Sequence, residues 1–250
     1  MSKPRVNGKR KALDGKVKDR SVRVEQRDKI GFDLPIDVKF TLTPKQQEFI
    51  RIAADKKTKF LLVTGAPGTS KSYLAVLAAL QALKEKRAGE IHYIRQPVES
   101  SSFNIGFLKG EASSKLAPYM EVLNCKLREF LPDGTIKQLQ KEERIKTNTP
   151  GFMRGASLNV SYTICDEAQN FLVKDFLLMM TRLGKFSKMI FAGDLRQSDI
   201  KDSGFERVFN LFDNQESRDQ GIFTFKFGRE DIVREEVIAF ILDKFEVLGK

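Results

Sequence analysis

Histidine is nearly absent: His92 is the single one in 250 residues. A mechanism that needs a histidine pair, or a His-rich zinc site, is thereby excluded. Two cysteines, Cys125 and Cys165, are too few for a disulfide framework and lack metal-ligand spacing. Tryptophan is missing, which decides nothing about function. No run approaches the roughly eighteen apolar residues of a membrane span, so no membrane partner is expected. The N-terminus is basic and polar with no apolar segment behind it. No secretory signal is expected there, and a cytoplasmic location follows, the host cytoplasm for a viral chain.

What is present suits a globular α/β protein. The chain is 41% apolar and 10% aromatic, long enough for one large domain or two small ones. Its net charge of +11 is unevenly placed. Residues 1–30 hold eleven Lys/Arg against four Asp/Glu, while the remainder is close to balanced. This stretch is poor in apolar residues, and residues 1–40 are expected to form a basic, disordered arm ahead of a domain over 41–250. The arm reads equally well as a nucleic-acid contact, since Lys/Arg displace counterions from phosphates, and as a solubilising tail.

From residue 41 short apolar runs alternate with amphipathic segments. "KFLLVTG" (59–65), "IHYIR" (91–95), "VSYTIC" (160–165), "KMIFAGD" (188–194) and "IFTFKF" (222–227) read as buried strands. Helices are expected at 71–89, 113–131, 171–183, 203–213 and 231–248. The alternation predicts an α/β fold with a mainly parallel sheet and helices on both faces. The polar stretch 132–159 has no clean period and reads as an excursion from that sheet. Ligands of such sheets sit beyond the carboxyl ends of the strands, where motifs should cluster.

Three motifs do. "GAPGTSKS" (65–72) follows a strand and opens a helix, so backbone N–H groups would face anionic oxygens. Gly65, Ala66, Pro67, Gly68, Thr69, Ser70, Lys71, Ser72 and Tyr73 form the candidate nucleotide loop. In that pattern Lys71 reaches the β/γ-phosphates and Ser72 binds Mg²⁺. Ser70 stands where glycine is usual. The expectation is a right-handed helical backbone there, with serine harmless; a positive φ would cost roughly 1–2 kcal/mol. Alone, the segment also fits an unliganded strand-to-helix turn.

"YTICDEAQN" (162–170) delivers Asp166 and Glu167 at a strand's end, one able to hold Mg²⁺ and its neighbour to orient water. Two surface acids are the plainer reading, weakened by the loop upstream. "FAGDLRQSDI" (191–200) ends a third strand and brings Gln197, an amide able to sense a γ-phosphate. "TLTPKQQEFI" (41–50) starts a helix with Thr43 as cap and Pro44 at its first position. Gln46 or Gln47 could read an adenine edge, or the segment is a plain capped helix.

Together these residues resemble the PhoH family, a relative of superfamily 1 helicase motors with a RecA-like core. The resemblance covers residues 41–248. It rests also on "RQPVE…GFLKG" (95–110), "FMRGASL" (152–158), "MTRLGKFSKMIFAGDLRQ" (180–197) and "DIVREEVI" (231–238). Ser70 and Gln96 depart from the family pattern, although the "S-K-S" ending is similar to loops of some phage terminase motors. The resemblance implies an ATPase using ATP and Mg²⁺, with Gln46 at adenine, Lys71 and Ser72 at phosphate and metal, and Asp166 as metal ligand. It implies Glu167 as catalytic acid–base residue, Gln197 as γ-phosphate sensor and Arg234 as a transition-state arginine. Arg154 and Arg182 are weaker candidates, equally readable as surface ion pairs.

Helicases of this superfamily use two motor domains, and this chain has sequence for one. The expected partners are therefore RNA or single-stranded nucleic acid and further copies of the chain in a hexamer-like ring. The alternative is a slow nucleotide-dependent regulatory or binding module without unwinding.

Overall fold

The computed structural model describes residues 34–96, 112–195, 197, 198, 200, 202–233, 237, 240, 241 and 244, with backbone alone for 112–118. Most of the expected arm lies outside the described residues. Residues 34–40 do not behave as a free tail. Leu34 is buried in the core and the Asp37 N–H donates to Phe130 O at 2.9 Å, so the packed domain reaches back beyond residue 41.

Six strands form one sheet: β1 (Phe60–Thr64), β2 (Glu90–Arg95), β3 (Ile145–Asn148), β4 (Ser161–Asp166), β5 (Lys188–Gly193) and β6 (Ile222–Lys226). Their spatial order is β3-β2-β4-β5-β1-β6, and every pairing is parallel. The central strands β1, β4 and β5 are buried along nearly their whole length because both faces are covered. Successive side chains point to opposite faces, so alternate residues serve two cores. Leu61, Val63, Tyr93 and Ile164 pack beneath α1 (Pro44–Ala54), α2 (Lys71–Lys84), α3 (Ala112–Leu127) and α4 (Asp133–Lys141). Leu62, Ile94, Cys165 and Phe191 face α5 (Val173–Met180) and α6 (Phe205–Phe212), through Phe176, Met179, Phe205 and Phe209. A short α7 (Gln215–Asp219) precedes β6.

The α/β expectation holds, with an entirely parallel sheet. The stretch 132–159 requires correction: it is no excursion, since α4 and the edge strand β3 lie within it, and β3 pairs with β2 from Ile91↔Ile145 to Ile94↔Asn148. The expected helix over 171–183 is also shorter, because a 3₁₀ turn over Ala168–Asn170 precedes α5. Of the expected helix over 231–248, Val237, Phe240, Ile241 and Lys244 are described as helical. Cys165, within β4, is wholly buried and its thiol is pushed up by that burial and then by Asp166. Cys125 on α3 is exposed. Among the described residues no helix is long and apolar enough to cross a membrane.

Candidate functional site

The register aligns four strand ends at one rim. Thr64 of β1 pairs with Gly193 of β5, Ala192 with Asp166 of β4, and Asp166 with Arg95 of β2. The loop over 65–70 rises from this rim. A Cβ on Gly65 would stand 2.7 Å from Phe227 Cβ and 2.9 Å from Thr69 Oγ1, so glycine is required by close approach. Gly68 takes φ 88°. Ser70 takes φ 64°, ψ 21°, in the left-handed region, and its side chain makes no capping hydrogen bond. The expected right-handed backbone is therefore wrong, and the serine Cβ costs roughly 1–2 kcal/mol that glycine would avoid.

Lys71 opens α2 and folds over the loop. Its Nζ donates to Gly65 O at 2.5 Å and Ala66 O at 3.0 Å. Burial lowers its pKa, against the pull of Asp194, Glu167 and Asp166. A half-buried ammonium held by loop carbonyls can exchange them for an anion.

Asp166 is almost fully buried. Its Oδ1 accepts from Ser72 Oγ at 2.6 Å; its Oδ2 accepts from the Tyr93 hydroxyl and faces Lys126 Nζ at 3.8 Å. Burial, then the Asp166 charge, drives the Tyr93 phenol far above its ordinary pKa, so it stays a donor. Glu167 sits at φ 53°, the left-handed turn that swings it off the strand line. Its carboxylate accepts from Gln169 Nε2 at 2.7 Å and meets Arg95 at 3.7 Å. Gln169 Oε1 in turn accepts the Asp194 N–H at 3.1 Å, tying the ends of β4 and β5 together.

A cavity of about 450 Å³ opens between these groups, lined by Lys71, Ser72, Asp166, Glu167 and Gln197. Pro67, Gly68, Ser70 and Tyr73 also face it, while Gly65, Ala66 and Thr69 form the inner turn of the loop. The donor set, a hydroxyl and a carboxylate, is of the hard-oxygen type that fits Mg²⁺. Among the described residues no cluster of three or more His, Cys, Asp or Glu offers an all-protein metal cage.

Gln46 is placed differently. It completes a capping box with Thr43: its Oε1 accepts the Thr43 N–H at 3.0 Å, and its N–H donates to Thr43 Oγ1 at 3.2 Å. Its Nε2 is buried with no hydrogen-bond partner among the described residues. That leaves donor capacity for a base edge, although Gln46 does not line the cavity. Arg234 lies outside the described residues. The residue before it, Val233, lines the cavity and its N–H donates to Gly68 O at 3.1 Å. Arg154 is exposed after the 3₁₀ turn that follows β3. Arg182 precedes β5, on the rim opposite the loop.

Sequence reasoning missed Tyr93, Lys126, Gln169 and Phe40. Only Gln169 carried a local signal, a polar side chain three residues after Asp166. Phe40 lines the cavity and stacks on Tyr73 with ring centroids 4.9 Å apart.

The family described as PhoH-like protein matches residues 39–246. A PhoH-like protein of Bacillus subtilis is 32% identical over 204 residues, covering 82% of this chain and 63% of that protein. One from Synechocystis is 30% identical over 207 residues, covering 82% and 61%. Protein PhoH of Escherichia coli is 27% identical over 188 residues, covering 73% and 52%. The chain thus spans between about half and two thirds of these relatives' lengths. A helicase domain of Pyrococcus furiosus Hef superposes with TM-score 0.42 at 13% identity, over 74% of this chain and 37% of that one. This chain belongs to the PhoH-like family.

Proposed function

We propose that this PhoH-like chain hydrolyses ATP with Mg²⁺ and couples the cycle to RNA or single-stranded nucleic acid, as a homo-oligomer whose neighbouring copy completes the site. The observation that carries the reading is the convergence of Lys71, Ser72, Asp166, Glu167 and Gln197 on one cavity at the carboxyl rim.

The chain's own groups suggest the division of labour. Lys71 exchanges the loop carbonyls for β- and γ-phosphate oxygens, and the loop N–H groups take the rest. Ser72 and Asp166 would hold Mg²⁺, which would supply charge withdrawal from the phosphates. Glu167, braced by Gln169 and Arg95, takes the proton of the attacking water as the γ-phosphorus–oxygen bond breaks and ADP departs. Gln197 contacts the γ-phosphate end of the cavity. Arg234, next to the Val233 tether, acts on the transition state from its own or a neighbouring subunit. The basic arm supplies phosphate contacts.

The test is steady-state ATP turnover with single-stranded RNA, with single-stranded DNA and with neither. Lys71→Ala is expected to lower turnover by about 100-fold or more. Unchanged turnover in that variant refutes the assignment of the loop. Turnover indifferent to both nucleic acids, with ATP-dependent binding of a partner, favours the regulatory module instead.

A further inference from the structure

A second concavity, of about 660 Å³, lies at the opposite rim of the sheet, where the strands begin. The loops before β1, β2 and β5 build it, so the parallel topology sets it at the far end from the nucleotide cavity. Its ionisable lining is five cations, Lys56, Lys59, Arg87, Lys185 and Lys188, together with the phenol of Tyr162; no carboxylate lines it. The floor is apolar, formed by Ala54, Ala82, Ala88 and Leu183.

Three details mark the groove as built for a ligand. Thr58 is 3% exposed and lines the groove, yet its hydroxyl has no hydrogen-bond partner among the described residues. A buried hydroxyl left in that state is costly unless something arrives to bond it. Lys188 is held at the wall by donating to Ala53 O at 2.9 Å and to Asp55 O, with its ammonium partly withdrawn from water. Phe186 is 49% exposed at the mouth and adopts φ 57°. Left-handed backbone at a bulky residue stores strain, which persists where a side chain must be presented in one direction. Val160, across the groove, is strained in the same way at φ 50°.

We propose that this amino-rim groove binds a single-stranded phosphodiester chain, with cations along the backbone and a base against Phe186 and the apolar floor. The inference rests on the nucleic-acid reading above and names the surface that serves it. Arg87 is paired with Glu85 beside the groove, but the lining itself carries cations and no carboxylate and so selects an anion; apolar lining with an exposed ring selects one that carries bases. A duplex, whose bases are stacked inside, could not use the floor.

The experiment is fluorescence anisotropy with a labelled 12-mer of oligo-U RNA and of oligo-dT, in the full chain, across a salt series. The variants are Lys56→Glu/Lys185→Glu and Phe186→Ala, with thermal melting and ATP affinity as controls that should not move. The charge variant is expected to weaken binding at least 10-fold and to reduce the salt slope by about one to two, as two lost phosphate contacts require. Phe186→Ala is expected to weaken binding about 5- to 100-fold with the slope unchanged. Wild-type binding that both variants retain in full overturns this surface and leaves the nucleic-acid reading standing. A wild-type chain that binds neither oligomer overturns both. AMP competing as well as the 12-mer does would make the groove a mononucleotide pocket and would also overturn the proposal.

Discussion

Ser72 and Asp166 lie 94 residues apart, yet the serine hydroxyl donates to the carboxylate at 2.6 Å. That bond joins the start of α2 to the end of β4, at the pair proposed to hold a divalent cation. Asp166→Asn keeps the shape and removes the charge, so ATP turnover should fall by about 100-fold or more. Mg²⁺-free ADP should bind as before. Isothermal titration with and without Mg²⁺ checks the split, and equal weakening of both would reassign Asp166 to folding alone.

The left-handed Ser70 makes a second prediction. Glycine there removes strain of roughly 1–2 kcal/mol and adds unfolded-chain entropy of about 0.4–1 kcal/mol, so Ser70→Gly should stabilise by about 0.5–1 kcal/mol. Urea denaturation reads this directly. Ser70→Ala should be near neutral, since the side chain makes no capping bond.

Gln169 is predicted to position rather than to react. Its amide holds Glu167 on one side and the Asp194 N–H on the other. Gln169→Ala should lower kcat about 10-fold while the Kd for ATP changes little, a split that a folding defect would not produce. Loss of nucleotide affinity in step with kcat would contradict the assignment.

Acid should release the sheet edge. Glu90 of β2 accepts from His92 at 3.0 Å and from Lys146 of β3 at 2.9 Å. Burial opposes its charge, but these two partners outweigh it and hold the carboxyl at about 2, below its ordinary 4.5. A depressed carboxylate stabilises fully above its unfolded pKa and ceases to do so as pH falls through the folded value. The contribution should therefore fade from pH 4.5 towards 2. Solvent at the edge screens it to roughly 1–2 kcal/mol. Glu90→Gln should lose that amount at pH 7 and nothing near pH 2, as followed by urea melts at several pH values.

The same edge shows what the sequence could not reveal. β1, β4 and β5 are buried along nearly their whole length because both faces are covered, and their apolar-rich segments are legible at once. β3 is four residues, "IKTN", with alternating burial at a sheet edge. Such a strand has half the apolar signal, and the polar stretch around it hid it. That residues 65–72, Asp166, Glu167 and Gln197 meet at one rim was legible because each follows a strand. Tyr93 and Lys126 were not, because their relation to Asp166 exists only after β2 and α3 have packed. Ser70 is a different case: its φ of 64° is set by the closure of the loop onto α2, which residue type alone does not reveal.

The two thiols differ in a way an experimenter can exploit. Cys165 is sealed inside β4, whereas Cys125 stands in solvent one residue from Lys126, a wall of the nucleotide cavity. The unmodified chain therefore carries its own single attachment point for a maleimide dye. A fluorophore placed there reports on α3 as nucleotide comes and goes, with no cysteine to remove or add.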